Sequence, residues 1–166
     1  MIFIKSINLI LVLLICTYLG IQKAKMYEKR YKELQYFQNA LNMFKSKLEF
    51  TYEPINNIFL EISKIIYNDS SNIFFKTIEN KENLNFAWIN SVENNKQFND
   101  EDKDIIKTFG KLLGKTDIKG QVSEIKLMQN LIEKQIANAE LEKNKNVKLY
   151  KTMGIISGLG ICIILI

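Results

Sequence analysis

The sequence predicts an all-α fold, an antiparallel bundle of about six helices whose first and last helices continue into apolar terminal segments. Three observations predict it. Apolar residues in the middle of the chain recur at helical spacing, without the alternation that is typical of strands. The 166 residues include one proline and seven glycines, so long stretches of the chain contain no helix-breaking residue. Apolar runs occupy both ends, and most charged residues lie between them. Two long helices with short loops favour antiparallel packing.

The first apolar run, residues 7–21, predicts an N-terminal transmembrane segment. Counted from Ile2 it provides about 20 residues, or roughly 30 Å of helix, if Lys5 reaches the headgroups. A cleaved signal peptide is the alternative, but the residues that follow the run offer no small-residue cleavage site. We therefore predict an uncleaved segment over residues 1–21.

The first helix continues from this segment into the middle of the chain. Its apolar stripe is Tyr27, Tyr31, Leu34, Phe37, Leu41, Phe44 and Leu48. Pro54 ends it, because the residue before a proline is pushed out of helical geometry, and suits the first turn of a second helix over 55–67. A polar turn at 68–72 offers several N-caps.

Three further helices are predicted before the last one. Two short helices cover 72–82 and 85–94. Asn99 or Asp100 caps a fifth helix, whose acidic first turn suits the helix dipole and which stops at Gly114.

A second long helix leads into the C-terminal apolar run. Thr116 or Asp117 caps it. Its stripe is Ile118, Val122, Ile125, Met128, Ile132, Ile136, Ala139, Val147 and Tyr150. The run at 153–166 gives about 21 Å of helix, or about 27 Å from Leu149 if Lys151 reaches the headgroups. A buried core helix is the alternative. We predict a transmembrane segment, because so many exposed apolar side chains would aggregate in water.

The positive charges predict the orientation in the membrane. The formal net charge is +5, and basic residues crowd at 23–32 and 143–151, whereas Lys5 alone precedes the first segment. The positive-inside rule then places residues 22–152 in the cytosol and both termini on the non-cytosolic side. A nucleic-acid-binding protein would carry its basic stripe on the folded body, so we predict no nucleic-acid partner.

The composition argues against an enzyme. Histidine is absent, which removes the commonest general base and zinc ligand. Cys16 and Cys162 have no second cysteine nearby, and the sequence contains no phosphate-binding loop or hydrolase motif. We predict no catalytic residue, no cofactor and no metal site. A membrane-bound enzyme, and a generic membrane-anchored scaffold or receptor-like protein, stay open as alternatives.

Two stretches predict a partner-binding surface. Tyr52 and Pro54 lie at the first helix break, and Gly114, Lys115 and Asp117 lie at the turn before the last helix. Turn chemistry alone is the alternative explanation. By helix length the second turn lies roughly 50 Å from the C-terminal segment, where a cytosolic partner would reach it.

Three glycines are candidates for close helix packing. Gly110 inside a helix costs about 1 kcal/mol relative to alanine, which packing against another helix would explain. Gly154 and Gly158 form a small-xxx-small pattern, which lets helices approach closely in lipid but also arises by chance. We expect packing against the first segment or against another subunit.

Taken in order, these motifs resemble the stage III sporulation protein AB family over the whole chain. The resemblance is carried by the basic cluster behind the first segment, by Tyr52, Pro54 and Ile55, and by Ala87-Trp88. It continues in a Phe-Gly-x-x-Leu-Gly-x-x-Asp-x-x-x-Gln block over 109–121 and in Tyr-Lys-x-Met-Gly over 150–154. Ile55 departs from the leucine that is more usual there.

The resemblance implies a non-enzymatic role in an assembly. Such proteins belong to the complex that links mother cell and forespore in endospore-forming bacteria. They are similar to the F-type inner-membrane platform proteins of type II secretion and type IV pilus machines. The resemblance therefore implies a place in the mother-cell membrane around the forespore. It implies as partners a cytosolic secretion-type ATPase, stage III sporulation protein AA, and other stage III sporulation membrane proteins. Self-association stays open.

Overall fold

A computed structural model describes the backbone of residues 2–51, 53–66, 69–79, 83–112 and 117–165, and the side chains of these residues except 2–6, 69–71 and 112. The described residues form six helices and no strand: α1 (Ile2–Phe50), α2 (Ile55–Ile65), α3 (Asp69–Glu79), α4 (Leu84–Glu93), α5 (Asp100–Leu112) and α6 (Ile118–Leu165). The predicted all-α bundle with two long outer helices is confirmed.

The chain divides into two compact units. The terminal unit comprises Met1–Lys29 and Ala139–Ile166, and the central unit comprises Arg30–Asn138. Both α1 and α6 contribute residues to each unit. Membrane boundaries at residues 21 and 153 stay predictions.

Side chains and a proline set the helix starts in the central unit. The Pro54 carbonyl accepts the first amide hydrogen bonds of α2. Asn99 and Asp102 cap α5 reciprocally, because the Asp102 amide donates to Asn99 Oδ1 (2.8 Å) and the Asn99 amide donates to Asp102 Oδ2 (3.2 Å). Asp117 accepts from the Gly120 amide at the start of α6 (3.0 Å). The sequence predicted Asn99 or Asp100 as the cap of α5, and Thr116 or Asp117 as the cap of α6. The structure shows Asn99 and Asp117 in these roles.

The core of the central unit is built from aromatic side chains of α1 to α5 and of the segment before α5. The buried rings are Phe37, Phe44, Phe59, Phe74, Trp88, Phe98 and Phe109. The centroid of Trp88 lies 5.1 Å from that of Phe109, 5.3 Å from Phe74 and 5.6 Å from Phe59. The indole N–H donates to the Ile106 carbonyl (2.8 Å), so the polar atom of this fully buried side chain is satisfied.

α6 closes the core with aliphatic side chains. Its buried residues in the central unit include Val122, Ile125, Met128 and Ile132. Ile118, which the predicted stripe included, is 37% exposed, so the buried face of α6 begins one turn later.

Gly110 lies where α5 approaches Trp88 most closely. A Cβ atom at Gly110 would lie 2.8 Å from Cγ of Trp88 and 3.1 Å from its Cβ. The ring cannot easily move, because four other aromatic rings and the hydrogen bond to Ile106 surround it. A side chain at position 110 would therefore force the two helices apart.

The substitution Gly110→Ala tests this contact. Helix propensity alone favours alanine by about 1 kcal/mol. Overpacking against Trp88 should outweigh that gain and destabilise the chain by about 1–3 kcal/mol. Urea unfolding of the detergent-solubilised chain, followed by circular dichroism, measures the change. Lys111→Ala, at an exposed position of the same helix, is the control and should be near neutral. A more stable Gly110→Ala chain would contradict the close contact.

Candidate functional site

Cross-helix hydrogen bonds in the central unit show how α1 and α6 pair. Arg30 donates to Gln135 (3.2 Å), and Gln129 donates to Asn42 (2.6 Å). Residue numbers rise along one helix while they fall along the other, so the two helices run antiparallel. The C-terminal end of α1 and the N-terminal end of α6 therefore lie at the same end of this unit.

That end carries the described part of the predicted partner-binding surface. Pro54 follows α1, and Asp117 precedes α6. Asp117 is exposed, and its side chain is committed to capping α6. The other three predicted residues lie outside the described residues: Tyr52, Gly114 and Lys115.

Phe50, the last residue of α1, is 75% exposed at the same end. The neighbouring Lys47 forms ion pairs with Glu61 (2.6 Å) and Glu53 (3.2 Å). The hydrogen bonds that Lys47 donates to Glu61 first, and to Glu53 second, raise the pKa of Lys47. Such exposed pairs add little stability, but they hold Glu53 in place beside Pro54. An exposed aromatic ring next to charged side chains that are held by ion pairs is a suitable contact surface for a protein partner.

A buried ion pair joins three helices of the central unit. Arg30 donates through Nε to Asp102 Oδ2 (2.8 Å) and through Nη2 to Oδ1 (3.0 Å). Gln135 of α6 accepts a further hydrogen bond from Nη2 (3.2 Å). All three residues are buried, and Asp102 is fully so. This network connects α1, α5 and α6 through directional bonds.

Local sequence pattern did not predict this network. Arg30 is one of the basic residues that follow the first apolar segment, and Asp102 is one of the acidic residues in the first turn of α5. A signal was present, because Arg30, Asp102 and Gln135 each lie three or four residues from a buried apolar residue of their own helix. A charge on a buried stripe needs a partner.

In the terminal unit, glycines bring α1 and α6 into backbone contact. A Cβ atom on Gly20 would lie 3.0 Å from the Gly154 Cα, and one on Gly154 would lie 2.9 Å from the Cys16 carbonyl oxygen. A Cβ atom on Gly158 would lie 3.2 Å from the Cys16 Cβ. Gly160, in contrast, faces open space. Gly20 was not among the predicted packing glycines, although Gly20 and the buried Ala24 form a small-xxx-small pattern that could have identified it.

Both long helices are long and apolar enough to cross a membrane by length and composition. Next to the glycine contacts, Tyr27 and Tyr150 stack with ring centroids 5.8 Å apart and an interplanar angle of 18°. The pKa of Tyr27 is raised, chiefly by its hydrogen bond with Tyr150 and then by burial. Glu28 and Lys151 form an ion pair (3.5 Å) beside this stack.

Within the described part of the chain, no group of three or more histidine, cysteine, aspartate or glutamate residues is arranged to hold a metal ion. A polar groove of about 250 Å³ lies between α3 and the end of α4. Its lining residues are Asn72, Ile73, Lys76, Ser91, Asn94, Asn95, Lys96 and Gln97. The features that the geometry supports are therefore helix contacts and surfaces.

Removing one partner of the buried ion pair should be costly. Asp102→Ala leaves the Arg30 guanidinium buried without its carboxylate, so we expect a loss of about 3–5 kcal/mol in the free energy of unfolding. Arg30→Met combined with Asp102→Leu should recover part of that loss, since neither charge of the pair is then buried alone, although the Asn99 amide loses its acceptor and Gln135 loses its donor. Denaturant unfolding measures both.

The exposed pair of Lys107 and Glu93 (2.6 Å) provides the control for this series. Lys107→Ala should change the free energy of unfolding by less than about 1 kcal/mol. If Asp102→Ala also changed the free energy of unfolding by less than about 1 kcal/mol, the buried pair would not hold the three helices together.

Native Cys16 allows a direct test of the glycine contact. In a Cys162→Ser background, Gly158→Cys places a second thiol with Cβ atoms about 3.2 Å apart, close to the separation that a disulfide needs. Mild oxidation should give an intrachain disulfide, seen as faster migration on a non-reducing gel. Gly160→Cys in the same background should leave the monomer uncrosslinked. A disulfide-linked dimer from Gly158→Cys would instead place this contact between subunits.

Comparison with known proteins agrees with the helical architecture. The sequence model of the family described as stage III sporulation protein AB matches residues 5–166. The chain is 23% identical to stage III sporulation protein AB of Bacillus subtilis (strain 168), over 97% of this chain and 98% of that protein. A solved structure of a stage III sporulation protein AB is similar in fold, with a TM-score of 0.64 and 20% identity over 70% of this chain and 98% of that one. The chain therefore belongs to the stage III sporulation protein AB family.

Proposed function

We propose that this protein is a non-enzymatic membrane platform subunit, which couples a cytosolic secretion-type ATPase to an assembly between mother cell and forespore. The observation that carries the proposal is the continuity of the two long helices. α1 spans 49 residues and α6 spans 48, and each runs unbroken from an apolar segment into the aromatic core of the central unit. A force applied to the central unit is then transmitted along hydrogen-bonded helices rather than through loops.

The proposed location is the mother-cell membrane around the forespore. The exposed lysines that border both apolar segments support a central unit in the cytosol and termini on the non-cytosolic side. The proposed partners are stage III sporulation protein AA as the ATPase and other stage III sporulation membrane proteins. Self-association is compatible with the same geometry.

Family membership sets aside the alternative of a scaffold unrelated to sporulation. The family is one of sporulation proteins and not a known enzyme family. An enzyme would need a nucleophile or an acid–base pair. The charged clusters described above are instead the buried Arg30–Asp102 ion pair and ion pairs at the surface. We therefore propose that the protein acts through contacts alone.

We propose that the ATPase binds the end of the central unit where α1 stops and α6 starts. Phe50 supplies an exposed aromatic anchor there, and Pro54 and Asp117 accept the first hydrogen bonds of α2 and α6. Tyr52, Gly114 and Lys115 belong to the same two stretches of sequence. In both long helices, these residues are at the end of the helix that is farthest in sequence from the apolar segment.

Phe50→Ser tests this surface. Aromatic anchors of interfaces commonly contribute about 1–2 kcal/mol or more, so the affinity for the ATPase should fall about tenfold or more. Lys115→Glu should also lower the affinity for the ATPase. Binding of the ATPase to the full-length chain in nanodiscs, with circular dichroism as a check on folding, measures the effect.

Tyr36→Ser is the matched control, because Tyr36 is 42% exposed on α1 and lies about 21 Å before Phe50 along the same helix. It should leave binding unchanged. Equal losses from both serine variants would argue against a specific surface. Normal binding by Phe50→Ser and Lys115→Glu would place the ATPase elsewhere on the protein.

A further inference from the structure

We propose that lysines on both helices of the terminal unit form a collar that binds anionic phospholipid headgroups. The inference rests on the proposed membrane insertion and goes beyond it. Orientation requires only positive charge on one side, whereas a collar selects which lipids contact the protein. The lysine collar consists of Lys23, Lys25 and Lys29 of α1 and of Lys145, Lys148 and Lys151 of α6.

The glycine contact fixes the level of these lysines along the two helices. Gly20 lies against Gly154, and on one side of this contact Tyr27 stacks on Tyr150. At 1.5 Å per residue, the α1 lysines lie about 4.5, 7.5 and 13.5 Å beyond the contact on that side. The α6 lysines lie about 4.5, 9 and 13.5 Å from it in the same direction. The two sets therefore occupy one band, roughly 9 Å deep.

This band begins where the apolar sequence ends. Beyond the glycine contact, Gln22 and Thr152 are the first polar residues on the two helices. The lysines thus start at the edge of the apolar segments, in the layer that phospholipid headgroups occupy, roughly 5–8 Å thick on each side of the hydrocarbon core. The stacked Tyr27 and Tyr150 lie in the same layer, where tyrosine is enriched in membrane proteins.

The protein leaves the positive charge of the collar largely uncompensated. All six lysines are exposed. Among the described residues, the collar forms one ion pair, between Lys151 and Glu28. Two half-buried lysines of the central unit differ from them, because Lys47 and Lys107 each bind two carboxylates. Unpaired cations at the edge of an apolar segment attract anionic headgroups, and the attraction weakens as salt screens it.

Spin-labelled lipids provide the test. The full-length chain is reconstituted in phosphatidylcholine bilayers that contain trace spin-labelled phosphatidylglycerol or spin-labelled phosphatidylcholine. Electron paramagnetic resonance then measures the fraction of each lipid that the protein restricts. We expect phosphatidylglycerol to be selected about threefold or more over phosphatidylcholine at low salt, and the selectivity to approach one at 1 M salt, where the Debye length is about 3 Å.

The variant Lys25→Gln/Lys145→Gln/Lys148→Gln should reduce this selectivity toward one. The matched control removes three exposed lysines of α6 in the central unit: Lys119→Gln/Lys126→Gln/Lys134→Gln. It should retain the selectivity. The proposal is wrong if both lipids are restricted equally at low salt, or if the two triple variants behave alike. Equal restriction of the two lipids would contradict the lysine collar but not membrane insertion. Restriction of neither lipid would contradict both the collar and membrane insertion.

Discussion

The packing of aromatic rings around Trp88 is the interaction on which the central unit depends. Its ring contacts side chains from α1, α2, α3 and α5, and its N–H group bonds to α5. Helices of 10 to 13 residues, the lengths of α2 to α5, are marginal alone in water. Each is stable here because one of its faces packs on this cluster. A rigid indole also fixes the spacing between helices, which is why Gly110 must lack a side chain.

The buried ion pair supplies a constraint that the aromatic cluster cannot. Ring packing tolerates small rotations of one helix against another, because apolar contacts are not directional. The two parallel hydrogen bonds from Arg30 to Asp102 tolerate much less, since a guanidinium and a carboxylate pair in one plane. Such pairs add little net stability, but breaking them is costly. We infer that the pair sets the rotation of α1 relative to α5, while the aromatic rings provide most of the stability.

The sequence predicted the helices, because these depend on local residue patterns. It did not predict the contacts between residues that are far apart in the chain. Apolar spacing identified all six helices, and cap chemistry located their starts to within a few residues. Gly110 was recognised as a packing position, but its partner Trp88 lies on another helix. Arg30 and Asp102 are 72 residues apart, and only folding shows that they meet. The predicted surface is described in part, at Pro54 and Asp117, because its other residues lie outside the described ranges.

The composition of the long helices bears on how a platform without catalytic groups would work. Sharp kinks in helices occur mainly at proline, at glycine and at local bulges. The stretches 21–50 of α1 and 121–153 of α6 contain neither proline nor glycine. The glycines of these helices are found instead at the start of α6 and in the apolar segments, where Gly20, Gly154 and Gly158 serve close packing. Under the proposed function, a load from the ATPase would therefore pass along two helices that lack hinge residues, and the glycine contact would keep them paired in the membrane.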